Sequence, residues 1–125
     1  MNLMLKGNLY DIKSMETVDG KTVADVILRP GCEIYKAHFP GRPITPGVCL
    51  VKTAQELVEE LESRTLHICE AKDIKFISLV TPDGTPEIRY ELTRGEKNAD
   101  CEKWSVCVFA SGSLCCKMSV TFSRK

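Results

Sequence analysis

The feature of this sequence that most restricts its fold is a single switch of period. Across residues 46–63, Leu50, Ala54, Leu57, Val58 and Leu61 fall at i, i+4, i+7, i+8 and i+11, one face of a helix. Segments on both sides alternate instead with period two. Before the helix, a strand is predicted across Leu5 to Lys13 and, after the Asp19-Gly20 turn, a second over Lys21 to Arg29 with Ala24, Val26 and Leu28 on one parity. After it, four alternating segments carry Ile74 and Phe76; Ile88, Tyr90 and Leu92; Trp104, Val106, Val108 and Ala110; and Leu114, Cys116, Met118, Val120 and Phe122. Pro82-Asp83-Gly84 is a turn signal, and Ala110-Ser111-Gly112-Ser113 joins the last two strands as a hairpin.

A lone helix among antiparallel strands buries its apolar stripe only by lying on a sheet face, so the order predicts an α+β domain whose antiparallel sheet wraps one long central helix, about residues 46–63. Thr45 is the expected N-cap and Pro46 the first helical residue, where a missing N–H costs nothing. The opening turn, Gly47 to Val51, is apolar nearly all round, while Glu56, Glu59, Glu60 and Glu62 follow. That polarity predicts deepest burial in the N-terminal half. A sheet curled round one helix leaves edges, which a second copy of the chain commonly covers.

The chain has 125 residues, a length that suits one domain spanning 1–125. Seventeen basic residues balance seventeen acidic ones, so no global field draws nucleic acid or an anionic membrane. No apolar run approaches the roughly 18 residues of a spanning helix, and Met1 to Tyr10 does not read as a signal peptide. A cytoplasmic location without membrane insertion is expected. Seven cysteines, an odd number, then read as free thiols, and with His38 and His67 far apart no zinc spacing appears; no metal is expected.

The densest chemistry lies in His38-Phe39-Pro40-Gly41-Arg42-Pro43-Ile44-Thr45-Pro46-Gly47-Val48, which holds three prolines and two glycines in eleven residues ahead of the helix. Such a loop is stiff. The first-turn N–H groups of Gly47 and Val48 lack intrahelical acceptors and would favour a carbonyl oxygen gaining negative charge. Gly47 allows close approach, and His38 is a candidate base. Taken alone, the same residues also fit a surface loop with a hydrogen-bonded histidine. Cys49, in the first turn, reads as a small buried thiol, and His67 has no assigned role.

The string HFPGRPITPGV resembles the active-site signature of the 3-hydroxyacyl-acyl carrier protein dehydratases. A weaker likeness continues through Asp73-Ile74-Lys75-Phe76 and Thr81-Pro82-Asp83-Gly84. The resemblance implies the hot-dog fold, in agreement with the element order, and a homodimer or higher homo-oligomer with sites at the subunit boundary. It also implies an acyl thioester carried on acyl carrier protein as substrate, and no cofactor. His38 would take the proton α to the thioester carbonyl, and the Gly47 N–H would polarise that carbonyl. Phe39, Pro46 and Val48 would line the substrate.

One position departs from the pattern. Where that family carries the carboxylic acid that helps the β-hydroxyl leave, four residues after Val48, this chain has Lys52. Glu56, one turn further and about 6 Å along the axis, could replace the acid. A protonated Lys52 could itself donate, or pair with Glu56. Otherwise the chain would not dehydrate, and would bind acyl thioester or acyl carrier protein as a subunit, or act as an acyl thioesterase.

Overall fold

At Asp19-Gly20 and at Ser111-Gly112 both residues have φ between 51° and 78°, the paired left-handed geometry of a two-residue hairpin turn. Glycine takes the second place in each pair without a Cβ clash. These turns set β1 (Tyr10–Val18) against β2 (Lys21–Leu28) and β5 (Cys101–Ala110) against β6 (Ser113–Ser123). The coordinates are those of a computed structural model and describe residues 4–38, 41, 43–84 and 86–123.

Two helices follow β2, a short α1 (Glu33–His38) and the long α2 (Gly47–Glu62), before β3 (His67–Phe76) and β4 (Glu87–Lys97). All pairings are antiparallel, in the order β1-β2-β4-β5-β6-β3. The chain therefore crosses from β2 over the sheet by way of α2, lays down β3 at the far margin, and returns to fill the middle.

The core is the sheet face on which α2 lies. Leu50, Ala54, Leu57 and Val58 are buried as their helical spacing predicts, against Ala24, Val26 and Leu28, Ile88, Tyr90 and Leu92, Trp104, Val106 and Val108, and Cys116, Met118, Val120 and Phe122. Leu61 is only half-buried. At the end of α2, Ser63 takes a left-handed conformation and its N–H donates to the Glu59 carbonyl. Next to it Leu66 is held from both sides, its N–H by Glu59 Oε2 and its carbonyl by Gln55 Nε2, each at 2.8 Å.

Four expectations are corrected. The first strand is Tyr10–Val18, later than Leu5 to Lys13, because Gly7 at φ 85° turns the chain and the N–H of Gly7 donates to the Tyr10 carbonyl. α1 was not anticipated, since six residues are too few to show a helical period. The N-cap of α2 is Pro46 rather than Thr45, whose hydroxyl lies 2.9 Å from the Tyr35 hydroxyl and is engaged there. Burial along α2 runs from Cys49 to Val58 and not from the first residue, and Val48 is 72% exposed, because the first turn reaches the sheet margin beside the end of β3.

Candidate functional site

At the start of α2 the Pro46 carbonyl accepts from the N–H groups of Cys49 (2.9 Å) and Leu50 (3.2 Å). Among the described residues, the N–H groups of Gly47 and Val48 donate to nothing, which leaves two donors at the positive end of the helix. The approach is fixed: Thr45 N–H donates to the Val80 carbonyl at 2.7 Å. Val48 of the first turn is exposed in the single chain, as are Phe76 at the end of β3 and Ile77 and Leu79 in the segment that leads from it to Val80. The Phe76 ring touches the helix start directly, for a Cβ built on Gly47 would meet Phe76 Cζ at 2.5 Å.

His38 is the last residue of α1, so the base candidate ends a short helix directly before the Pro/Gly-rich stretch. The His38 side chain and all of Phe39 lie outside the described residues.

Lys52 and Glu56 are brought together on the flank of α2, where both line a cavity of about 620 Å³ with Gln55, Glu59, Leu66 and His67. Their situations differ. Glu56 is 4% exposed, and its carboxylate accepts from Leu5 N–H (2.7 Å), Lys6 N–H (2.8 Å) and the Tyr10 hydroxyl (3.0 Å). It anchors the N-terminal segment across the helix, and one turn on Glu60 pairs with Lys6 at 2.6 Å. Lys52 is half-buried, and among the described residues it forms no hydrogen bond or ion pair.

Burial pushes the Cys49 thiol up, so this cysteine has the character of an apolar core residue. Burial also raises Cys116 from an ordinary 9 to about 11 and holds Tyr90 well above its usual range; Tyr10 is raised by burial first and then by the Glu56 charge. For groups whose folded pKa is raised, the stabilisation is complete below the unfolded value and is lost as pH climbs toward the folded one. The melting temperature is therefore expected to hold up to about pH 9, then fall as Cys116 and later the tyrosines lose protons. Thermal melts between neutral pH and about pH 11 read this directly. In Cys116→Ala the decline above about pH 9 should be shallower rather than delayed, since burial also raises the Cys49 thiol, which still contributes there.

One antiparallel six-stranded sheet that wraps a long central helix defines a hot-dog domain. The chain belongs to the ApeI-like family: the model of that family, described as ApeI dehydratase, matches residues 14–116. Curated relatives point the same way. A 3-hydroxyacyl-[acyl-carrier-protein] dehydratase FabZ from Levilactobacillus brevis is 24% identical, the match covering 92% of this chain and 84% of that protein. The FabZ of Pediococcus pentosaceus is 27% identical over 73% and 69% of the two chains.

Among solved structures, a chain of the dehydratase heterocomplex ApeI:P from Xenorhabdus doucetiae superposes with a TM-score of 0.73 at 16% identity, covering 92% of this chain and 98% of that one. A hypothetical thioesterase with coenzyme A from Streptococcus pneumoniae gives 0.67 at 12% identity, over 93% and 85% of the chains. These two likenesses establish the fold.

Two participants escape a reading of the sequence alone. Phe76 shows only strand alternation, and nothing local signals that its ring reaches a residue 29 positions away. Tyr10 reads as an ordinary strand residue, because its bond to Glu56 spans 46 positions.

Proposed function

We propose that this protein eliminates water from 3-hydroxyacyl thioesters presented on acyl carrier protein, with His38 as base, the Gly47 N–H as carbonyl donor and Lys52 on the leaving-group side. The observation that carries the reading is the pair of N–H groups at Gly47 and Val48 that have no acceptor among the described residues, directly after the histidine loop, in a chain of a dehydratase family. His38 takes the Cα proton, the Cα–Cβ double bond forms, and hydroxide leaves Cβ with a proton as water. Negative charge grows on the thioester oxygen, where the two N–H groups offset it.

The leaving hydroxide needs a proton. Glu56 accepts from three donors and is assigned to the fold. Lys52 lines the same cavity without a partner among the described residues, and its ammonium is the proton donor in this reading. Phe39, Pro46 and Val48 border the acyl group in this reading. The outer edge of β3, the last strand of the sheet, is unpaired among the described residues and carries exposed Ile68, which suits pairing with a second hot-dog subunit. The His38 loop of one subunit then faces the α2 flank of the other.

A second reading is favoured by Lys52 together with the heterocomplex named for the Xenorhabdus doucetiae structure. The partner would be a different hot-dog chain whose helix carries the missing carboxylate, so that one complete site forms per pair.

Incubation with 3-hydroxyacyl thioesters of acyl carrier protein, with products followed by mass spectrometry, tests the function. Loss of 18 mass units from the acyl group is the expected result. Release of free 3-hydroxy acid instead would make the protein a thioesterase. Turnover appearing only after addition of a second hot-dog chain would select the split site.

A further inference from the structure

We infer that Phe76 is the wall of the acyl-thioester site, seated edge-on against the Gly47 backbone so that the thioester carbonyl meets the Gly47 and Val48 N–H groups out of water. The inference rests on the acyl-thioester reading above and adds a residue which that reading does not contain.

The contact is tight and one-sided. A Cβ on Gly47 would lie 2.5, 3.0 and 3.2 Å from Phe76 Cζ, Cε1 and Cε2, so the tip of the ring fills the volume that any side chain at position 47 would need. Yet Phe76 is 57% exposed in the single chain, so most of the ring has no packing role in this fold. A large aromatic side chain held at its tip and bare elsewhere is built to meet something else. Its strand position is secured locally: Phe76 pairs with Cys116, and the next N–H, from Ile77, donates to the Cys115 carbonyl at 2.7 Å.

The chemistry at this spot benefits from such a wall. Hydrogen bonds from two backbone N–H groups to a developing oxyanion are worth much more where water is excluded. Val48, next to Gly47 in the first turn, is exposed as well and adds apolar surface beside the ring. Glycine at position 47 thus has a second reason besides close ligand approach: it makes the seat for the ring.

A size-compensation experiment tests this, using as probe a butyryl pantetheine in which an amide with a ¹³C-labelled carbonyl replaces the thioester. Affinity is read by calorimetry, the hydrogen bond by the carbonyl stretching frequency, and oligomeric state by light scattering alongside. Gly47→Ala pushes the ring off its seat, and Phe76→Tyr adds an oxygen at the atom nearest Gly47. Each is expected to weaken binding by about tenfold to a hundredfold and to return the carbonyl frequency toward its value in water, the scale of other overpacking changes.

Gly47→Ala/Phe76→Leu exchanges a methyl for a shorter wall. It should regain affinity to within about threefold of the wild type, together with the shifted carbonyl frequency, since volume-conserving swaps are well tolerated. If the double variant binds as weakly as Gly47→Ala, the wall is overturned while the acyl-thioester reading stands. If the wild type does not bind the probe, both fall.

Discussion

Glu56→Ala should lower stability by about 3–5 kcal/mol, a large share of the 5–15 kcal/mol typical of a domain this size. The Glu56 carboxylate holds Leu5 N–H, Lys6 N–H and the Tyr10 hydroxyl, and it is nearly inaccessible to solvent. Hydrogen bonds to a charged acceptor are worth about 1.5–3 kcal/mol each, and removing the shared partner strands all three donors together, so the sum is less than additive. A drop in melting temperature on the order of 10 °C corresponds to this loss.

Two comparisons assign the effect to the carboxylate. Tyr10→Phe removes one donor and should cost about 1 kcal/mol. Glu60→Ala breaks the exposed pair with Lys6 and should change little, since exposed ion pairs contribute about 0–1 kcal/mol. Denaturant titrations of the three variants give the ranking. Were Glu56→Ala as stable as wild type but inactive, Glu56 would belong to catalysis and not to the fold.

That residue also shows what the sequence can and cannot carry. Helical spacing correctly places Glu56 beside Lys52, because i and i+4 neighbours follow from the helix alone. It contains nothing about the segment 50 positions earlier that lies across the helix and occupies the carboxylate. The same boundary runs through the whole chain. Alternation in Trp104 to Ala110 and Leu114 to Phe122 is local, and those strands are where the alternation puts them.

The strand at His67–Phe76 shows alternation only at its end, at Ile74 and Phe76. An edge strand with bulges at Ile68/Glu70 and Lys72/Lys75, exposed along most of its length in the single chain, has no buried face to impose a period. The helix start at Gly47 was legible one residue off, because Pro46 marks it whichever side of the boundary it occupies. The cap was not, since the Thr45 hydroxyl is diverted to Tyr35 by a contact made only in the folded chain.

Lys52→Glu is expected to raise kcat for 3-hydroxyacyl thioesters by about 10-fold to 100-fold, against a loss of about 10²–10⁴ for His38→Ala. In the proposed reaction an ammonium is a weaker proton donor than a carboxylic acid, so departure of hydroxide from Cβ is expected to limit the wild type. A carboxylic acid donates more readily, and position 52 looks onto a cavity where the neighbouring acids already have partners: Glu56 as above, Glu59 on Leu66 N–H, Glu60 on Lys6. Lys52→Ala supplies the reference. It should fall below wild type if the ammonium donates, with KM little changed, because the interaction develops in the transition state. The combination His38→Ala/Lys52→Glu should be as inactive as His38→Ala, since without the base no carbanion character develops for either acid to assist. Equal rates for Lys52→Glu and Lys52→Ala would mean that position 52 does not reach the leaving group within this chain's own assembly, and would move the acid to a partner subunit.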